Sequence, residues 1–414
     1  MKDQILSNLN SPENLESLYR NNREEFRNSF FDLAPQIEDQ KLVTFWEARL
    51  TFKKEETSWG NLQDLVLIIA ASLIAGMIAK IPAIFGIDED YFYPRNIGFI
   101  VFPFLTAYFA WRNKLPGRKH IFLVGVMIIS AIFINMLPGA EESDTLILSC
   151  VHLLLFLWSI LGFAFVGTRR NDNEKRLGFL RFNGDLIVIS ALLGIAGGIL
   201  SVITLGLFSL IGLEIENFYF ENIAVFGLAA IPILGAYLTQ TSPGLVGKVS
   251  PVIARIFSPL VLVMLVIYLI AMAYSGQDPY NDREFLLIFN ALLIGVMAII
   301  CFSVAETTKS TRSNLEHWIL FLLSLVTIIV NGIALSAILF RISEWGITPN
   351  RAAVLGGNIL ILINLLMVSY ELYRMTWNRS SHYEVGKAIT RYLPIYFIWA
   401  GIVTFLFPFL FGFR

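Results

Sequence analysis

The chain of 414 residues is 56% hydrophobic and 15% charged with a mean hydropathy of +0.66, far from the roughly 25% charged residues of water-soluble domains. That composition marks a membrane protein whose first partner is the lipid bilayer, and a formal net charge of -1 excludes the basic face that a nucleic-acid partner requires. Cys150 and Cys301 both lie in apolar runs, which excludes a disulfide framework and makes them small core residues.

The first segment, residues 1–60, is polar and lacks the pattern of a cleavable leader. Leu15, Leu18, Tyr19, Phe26, Phe30 and Leu33 recur at helical spacing, and Phe45 joins Val43, Trp46 and Leu50 in a second apolar stripe. The expectation is a helical hairpin forming a small cytosolic cap, with either a packing role or a cytosolic partner.

Beyond Trp59 the chain is a series of apolar runs, and a helical bilayer crossing needs about 20 residues. About eleven runs qualify, near residues 62–85, 97–111, 121–137, 145–167, 185–213, 222–238, 252–274, 285–305, 317–340, 352–373 and 392–413. The second is short unless its flanks join it, and the fifth is long enough to tilt or break. Basic residues collect after every even-numbered run: Arg112 to Lys119, Arg169 to Arg181, Lys248 and Arg255, Lys309 and Arg312, and Arg374 to Arg391. The intervening loops are acidic, so the N-terminus is expected in the cytoplasm and the C-terminus outside.

Two outer loops share a phrase: "DEDYFYPRNI" from Asp88 and "EIENFYFENI" from Glu214. The likeness extends upstream, where "DLVLIIAASLIAG" from Asp64 answers "DLIVISALLGIAG" from Asp185, and downstream to Pro103 and Pro232. "PNRAAVLGG" from Pro349 is a weaker third echo of "FENIAVFGL". The expected fold is therefore an all-α polytopic bundle, with a cap at 1–60 and a transmembrane domain at 61–414. Its tandem parallel repeats, of four, four and three spans, fall near residues 61–168, 185–307 and 317–414. Asp64 and Asp185 are then equivalent helix starts, where a carboxylate caps free N–H groups. Gly194 and Gly198 make a small-residue pair suited to close helix approach.

Ionisable groups inside spans are default functional candidates. Lys80, before Pro82, either pairs with an acid or snorkels to the interface. His152 has no second His at ligand spacing and reads as a packing histidine. Ser324, Thr327 and Asn331 share a helix face, which suits bonding to a neighbouring helix or lining a path. The stretch from Leu339 to Arg374 breaks the charge rule, because Arg341 and Arg351 fall in a loop expected outside. Glu344 is placed to bridge one of them, and Thr348 or Asn350 to cap the next helix. Arg351 and Asn358, seven apart, share a face, with Asn364 and Glu371 nearly opposite. Arg341, Glu344, Arg351, Asn358, Asn331 and Lys80 form the candidate polar set: either a structural salt bridge or a mouth that reads an anion or headgroup.

"GITPNR" with the helix after it, "LRFNGDLIVIS" and "IENFY" resemble an uncharacterised family of bacterial multi-pass membrane proteins, domain of unknown function 4153. The resemblance spans most of the chain from Leu62 onward and implies a protein of the bacterial cytoplasmic membrane. It brings no activity or site residues. Transport or flux of a small solute or lipid-like molecule is the leading functional expectation. The alternative is a membrane-embedded sensor or scaffold that binds a partner or a lipid headgroup without catalysis. An enzyme ranks third, since the chain carries no catalytic, cofactor-binding or metal-binding motif.

Overall fold

The computed structural model describes residues 1–37, 39–51, 62–138, 143–167, 172–210, 214–241, 258–263, 265–267, 269–270, 283–307, 314–377 and 381–413. Among these the chain is helical throughout, without a strand, and it divides into two compact units, Met1–Ser58 and Trp59–Arg414.

The first unit holds four helices where a hairpin was expected: α1 (Lys2–Ser7), α2 (Pro12–Asn21), α3 (Arg23–Leu33) and α4 (Gln40–Thr51). The stripe from Leu15 to Leu33 is broken at Asn22, whose side chain accepts from Glu25 N at 3.3 Å while its amide donates to the Glu25 carboxylate at 2.8 Å. This reciprocal cap starts a new helix at that point. Ile5, Leu15, Phe26, Phe30, Leu33, Val43, Trp46 and Leu50 close a core, whereas Phe45 is exposed. Glu16 ties α2 to α4 by accepting from Arg49 at 2.7 Å and from Arg20 at 2.8 Å.

The second unit contains α5 (Leu62–Ala79), α6 (Ile81–Phe85), α7 (Glu89–Arg112), α8 (Gly117–Met136), α9 (Asp144–Val166) and α10 (Asn173–Leu210). These are followed by α11 (Glu216–Tyr219), which runs through a π-helical turn at Phe220–Ala224 into α12 (Val225–Thr241). After an apolar helical segment at Ser258–Ile267 come α13 (Arg283–Thr307), α14 (Asn314–Trp345), α15 (Pro349–Thr376), α16 (His382–Phe405) and α17 (Phe407–Leu410). Among the described residues, seven helical stretches are long and apolar enough to cross a membrane: Gly117–Met136, Asp144–Val166, Asn173–Val202, Glu216–Thr241, Glu316–Trp345, Pro349–Thr376 and Tyr383–Phe405. Their outward faces are aliphatic, with Ile121, Ile129 and Val202 among the exposed residues. Such surfaces are stable where lipid replaces water.

Among the described residues, two large apolar cores lie in this unit beside a small cluster of Ala353, Val403 and Phe407. One joins α5, α7, α8, α9, α10 and α12, with a ring cluster of Phe109, Phe165, Phe179 and Phe182. The other joins α13 to α16. The seam between them is α9 against α16, where Phe156 stacks on Phe397 at 5.0 Å and Ser149 donates to Thr404 O at 2.9 Å.

Several expectations change. The short second run is lengthened by its flanks into α7, whose 24 residues span about 36 Å. Arg176 and Arg181, expected in a loop, are helical in α10, where Arg181 donates to Ala305 O at 3.0 Å and so satisfies a last-turn carbonyl of α13. Asp64 does lie in the first turn of α5, but Asp185 stands inside α10, twelve residues from its start. The glycine pair also fails. A Cβ on Gly194 would meet Ile231 only at 3.9 Å, and one on Gly198 would meet nothing. Close approach occurs instead at Gly356, where a Cβ would collide with the Trp399 ring, so α15 and α16 meet there. Lys248, Arg255, Lys309, Arg312, Arg169, Arg170 and the loop at 275–282 lie outside the described residues.

Candidate functional site

Helices α13 to α16 carry a line of amides through their shared interior. Asn331 on α14 is fully buried and donates to Asn358 O on α15 at 3.2 Å; Asn358, 3% exposed, donates in turn to Asn290 Oδ1 on α13 at 2.9 Å. Further along α15, Asn364 is buried and donates to the Tyr396 hydroxyl on α16 at 3.2 Å, which itself points to Leu360 O at 3.5 Å. Four helices are thus tied by neutral polar groups, the bonding that membrane interiors favour.

The line is incomplete on its acceptor side. Asn331 Oδ1 and Asn364 Oδ1 are buried and have no hydrogen-bond partner among the described residues, and the Trp399 indole N–H on α16 is likewise unpartnered. An unmet buried polar atom costs about 1–3 kcal/mol, and apolar replacement is the ordinary remedy in a core.

Ser324 and Thr327 are buried on the Asn331 face as expected. Their hydroxyls, however, bond back to Phe321 O at 2.7 Å and Leu323 O at 2.6 Å on their own helix. Of the three, Asn331 alone is seen bonding across helices.

The arginine pair is resolved differently from the expected loop bridge. Helix α14 continues to Trp345, so Arg341 and Glu344 stand on its last turns, and Arg351 belongs to the first turn of α15. Gly346 turns the chain at φ +75, a left-handed conformation that suits glycine. Thr348 is the cap, accepting from Arg351 N at 3.3 Å. Arg351 Nη1 donates to Trp345 O at 2.9 Å and Gly346 O at 2.7 Å, and both Arg341 and Arg351 lie 5.7 Å from the Trp345 ring centroid. Glu344 is exposed and makes no ion pair with either arginine among the described residues. The reason is geometric: the three-residue turn brings Arg351 onto the free carbonyls at the end of α14, which take the cation in place of a carboxylate.

Lys80, at the junction of α5 and α6, donates to Asn222 Oδ1 in the π-helical turn, a neutral partner where an acid was anticipated. Asn96, which holds the place of Asn222 in the other copy of the phrase, exchanges two amide bonds with Asn135 at 3.0 and 2.8 Å. Tyr93 donates to Ala79 O at 3.0 Å, and Tyr219, its counterpart, meets Ser201 Oγ at 2.9 Å. His152 Nδ1 lies 2.9 Å from Leu148 O on its own helix.

Sequence reasoning passed over Asn290, Tyr396 and Arg95. A lone amide in "LLIFNALLIG" was the available signal for the first. Arg95, at the acidic end of a span, breaks the charge rule as Arg341 and Arg351 do. Comparison with protein-family models, with curated proteins and with solved structures finds no match to this chain.

Proposed function

We propose that this chain is an integral protein of the bacterial cytoplasmic membrane that passes a small hydrogen-bonding solute or a lipid-like molecule through the interior of α13 to α16. The observation that carries the reading is the pair of unmet amide oxygens, Asn331 Oδ1 and Asn364 Oδ1, buried in the core that α13 to α16 share. Polar groups left unsatisfied inside a membrane protein are costly and so are candidates for a substrate pathway. Two unmet acceptors in one helical core suit a molecule that presents hydroxyl or amino groups.

The finer architecture belongs to the same proposal. The seven long apolar stretches, with α5, α7, Ser258–Ile267 and α13, make up the eleven expected crossings, with the N-terminus in the cytoplasm and the C-terminus outside. Tyr93 and Tyr219 each bond to a preceding helix, at Ala79 O of α5 and Ser201 Oγ of α10, and with the helix-internal Pro103 and Pro232 they support parallel repeats. Kinship with the domain of unknown function 4153 family is part of this reading. A sensor or scaffold is the second reading, favoured by one observation: residues 1–58 close a core of their own, as a domain that docks a cytosolic partner would.

The test is flux in proteoliposomes, using swelling with a series of polyols and amino-acid-sized solutes together with scrambling of a fluorescent phospholipid. Wild-type protein is expected to accelerate at least one of these, and Asn331→Leu to abolish that acceleration while eluting as folded protein. Equal flux by wild-type, Asn331→Leu and empty vesicles for every probe would remove transport and leave the scaffold reading.

A further inference from the structure

We propose that a cleft between α7 and α9, separate from the amide line and independent of the transport reading, holds the phosphodiester headgroup of an anionic phospholipid against Arg95. The cleft has a volume of about 450 Å³ and is lined by Asp90, Pro94, Arg95 and Ile97 of α7 and by Leu146, Ile147, Cys150, Val151 and Leu154 of α9. Arg95 is 4% exposed, yet its guanidinium makes one hydrogen bond, from Nη1 to Tyr91 O at 3.0 Å, and lies 4.0 Å from the Tyr91 ring centroid. Nε and Nη2 have no partner among the described residues.

The two unmet nitrogens are not a random pair. Together they form one edge of the planar fork, the edge whose parallel N–H groups match two oxygens of a phosphate. Tyr91 covers the face of the guanidinium, and Arg95 lines the cleft with those two nitrogens buried and unmet. A buried cation with three of its five N–H donors on unmet nitrogens is among the most expensive arrangements a membrane interior holds, and an anion on that edge offsets both the charge and the missing bonds.

The remaining walls select the source of the anion. From Leu146 to Leu154 the α9 wall is aliphatic apart from Ser149, Cys150 and His152, a run of about 12 Å at the helical rise, long enough to lie along part of an acyl chain. Ile97, Ile147 and Val151 flank the cleft and are half exposed or more, so it opens onto the apolar surface of the bundle. Asp88, Glu89 and Asp90 stand exposed at its polar end. Three carboxylates there repel a free anion arriving from water, whereas a lipid enters sideways between the exposed aliphatic residues with its phosphate beneath the acids.

The experiment uses the full-length protein in detergent, given equimolar phosphatidylglycerol and phosphatidylcholine, with retained lipids counted by native mass spectrometry. Wild-type protein is expected to retain phosphatidylglycerol about tenfold over phosphatidylcholine, equivalent to about 1.4 kcal/mol, and Arg95→Gln to retain the two equally. Val151→Trp fills the apolar wall without touching Arg95 and is expected to lose phosphatidylglycerol as well, which keeps the test decisive should Arg95→Gln not fold. No preference in the wild type, or a preference unchanged in both variants, overturns the proposal. So does protection of the wild type against heat by inorganic phosphate to the same degree as by phosphatidylglycerol, which would make the occupant a free anion.

Discussion

Arg351 and Arg95 each stand within two turns of the start of a long apolar helix, and the chain treats them in opposite ways. Arg351 spans a three-residue turn to the carbonyls of Trp345 and Gly346, so the end of α14 and the cation satisfy each other. Arg95 meets one carbonyl and the face of Tyr91, and its Nε and Nη2 stay buried and unmet beside a cleft. The first is a joint between helices; the second is the site we propose for an anionic headgroup. A helical membrane protein can therefore place the same residue type near a helix start for either purpose, and donor satisfaction separates the two where sequence position does not.

Replacement of Arg351 tests the first half of that comparison. Arg351→Gln removes two charge-assisted bonds that close the α14–α15 turn, and a stability loss of about 1–3 kcal/mol is expected, read as a lower midpoint in a thermal size-exclusion assay, with lipid retention unchanged. A variant that melts like the wild type yet changes lipid retention would make Arg351 a second receptor.

A third arginine extends the contrast to an ion pair. In the first unit Arg49 is held by Glu16, and the hydrogen bond from Arg20, followed by the charge of Arg49, keeps the Glu16 carboxyl below its usual range. A lowered carboxyl stabilises the fold above its ordinary pKa, and that contribution is lost as pH falls through its lowered native value. For a pair this accessible the effect is about 0.2–1 kcal/mol. Hydrogen exchange in α2 and α4 is expected to rise faster in wild type than in Glu16→Gln as pH drops from about 5 to about 3. Parallel profiles would show that the pair holds nothing.

The smallest effect belongs to Glu344. Because neither arginine pairs with it, Glu344→Gln is expected to shift stability by less than about 0.5 kcal/mol. A larger loss in the same thermal assay would mean that the carboxylate supports the turn after all.

What could be read in advance divides along physical lines. The seven long apolar stretches and the Gly346–Pro349 turn are local features that stand where the residues place them, and of the two cap candidates Thr348 is the one used. The buried face of Ser324, Thr327 and Asn331 was legible for the same reason, since helical spacing decides it. Helix ends were not. Arg181 and Arg341 are charged, and charge was read as loop, but each guanidinium has a place against a neighbour that composition does not contain: a carbonyl of α13 for one, the Trp345 ring for the other. Asp185 was misplaced as a cap because α10 begins twelve residues before it. The partners of Asn331 and Asn358 were illegible too, because which amide meets which carbonyl depends on how α13, α14 and α15 are brought together.

On the proposed reading, the unmet amide oxygens between α13 and α16 are kept for a passing molecule and not for the fold. The most direct test is Asn364→Leu, assayed on one preparation for thermal midpoint and for flux of whichever probe the wild type carries. Removing an unsatisfied buried oxygen is expected to leave the midpoint unchanged or raised, while flux falls to the level of empty vesicles. A lowered midpoint with wild-type flux would contradict the account and make the amide line architecture.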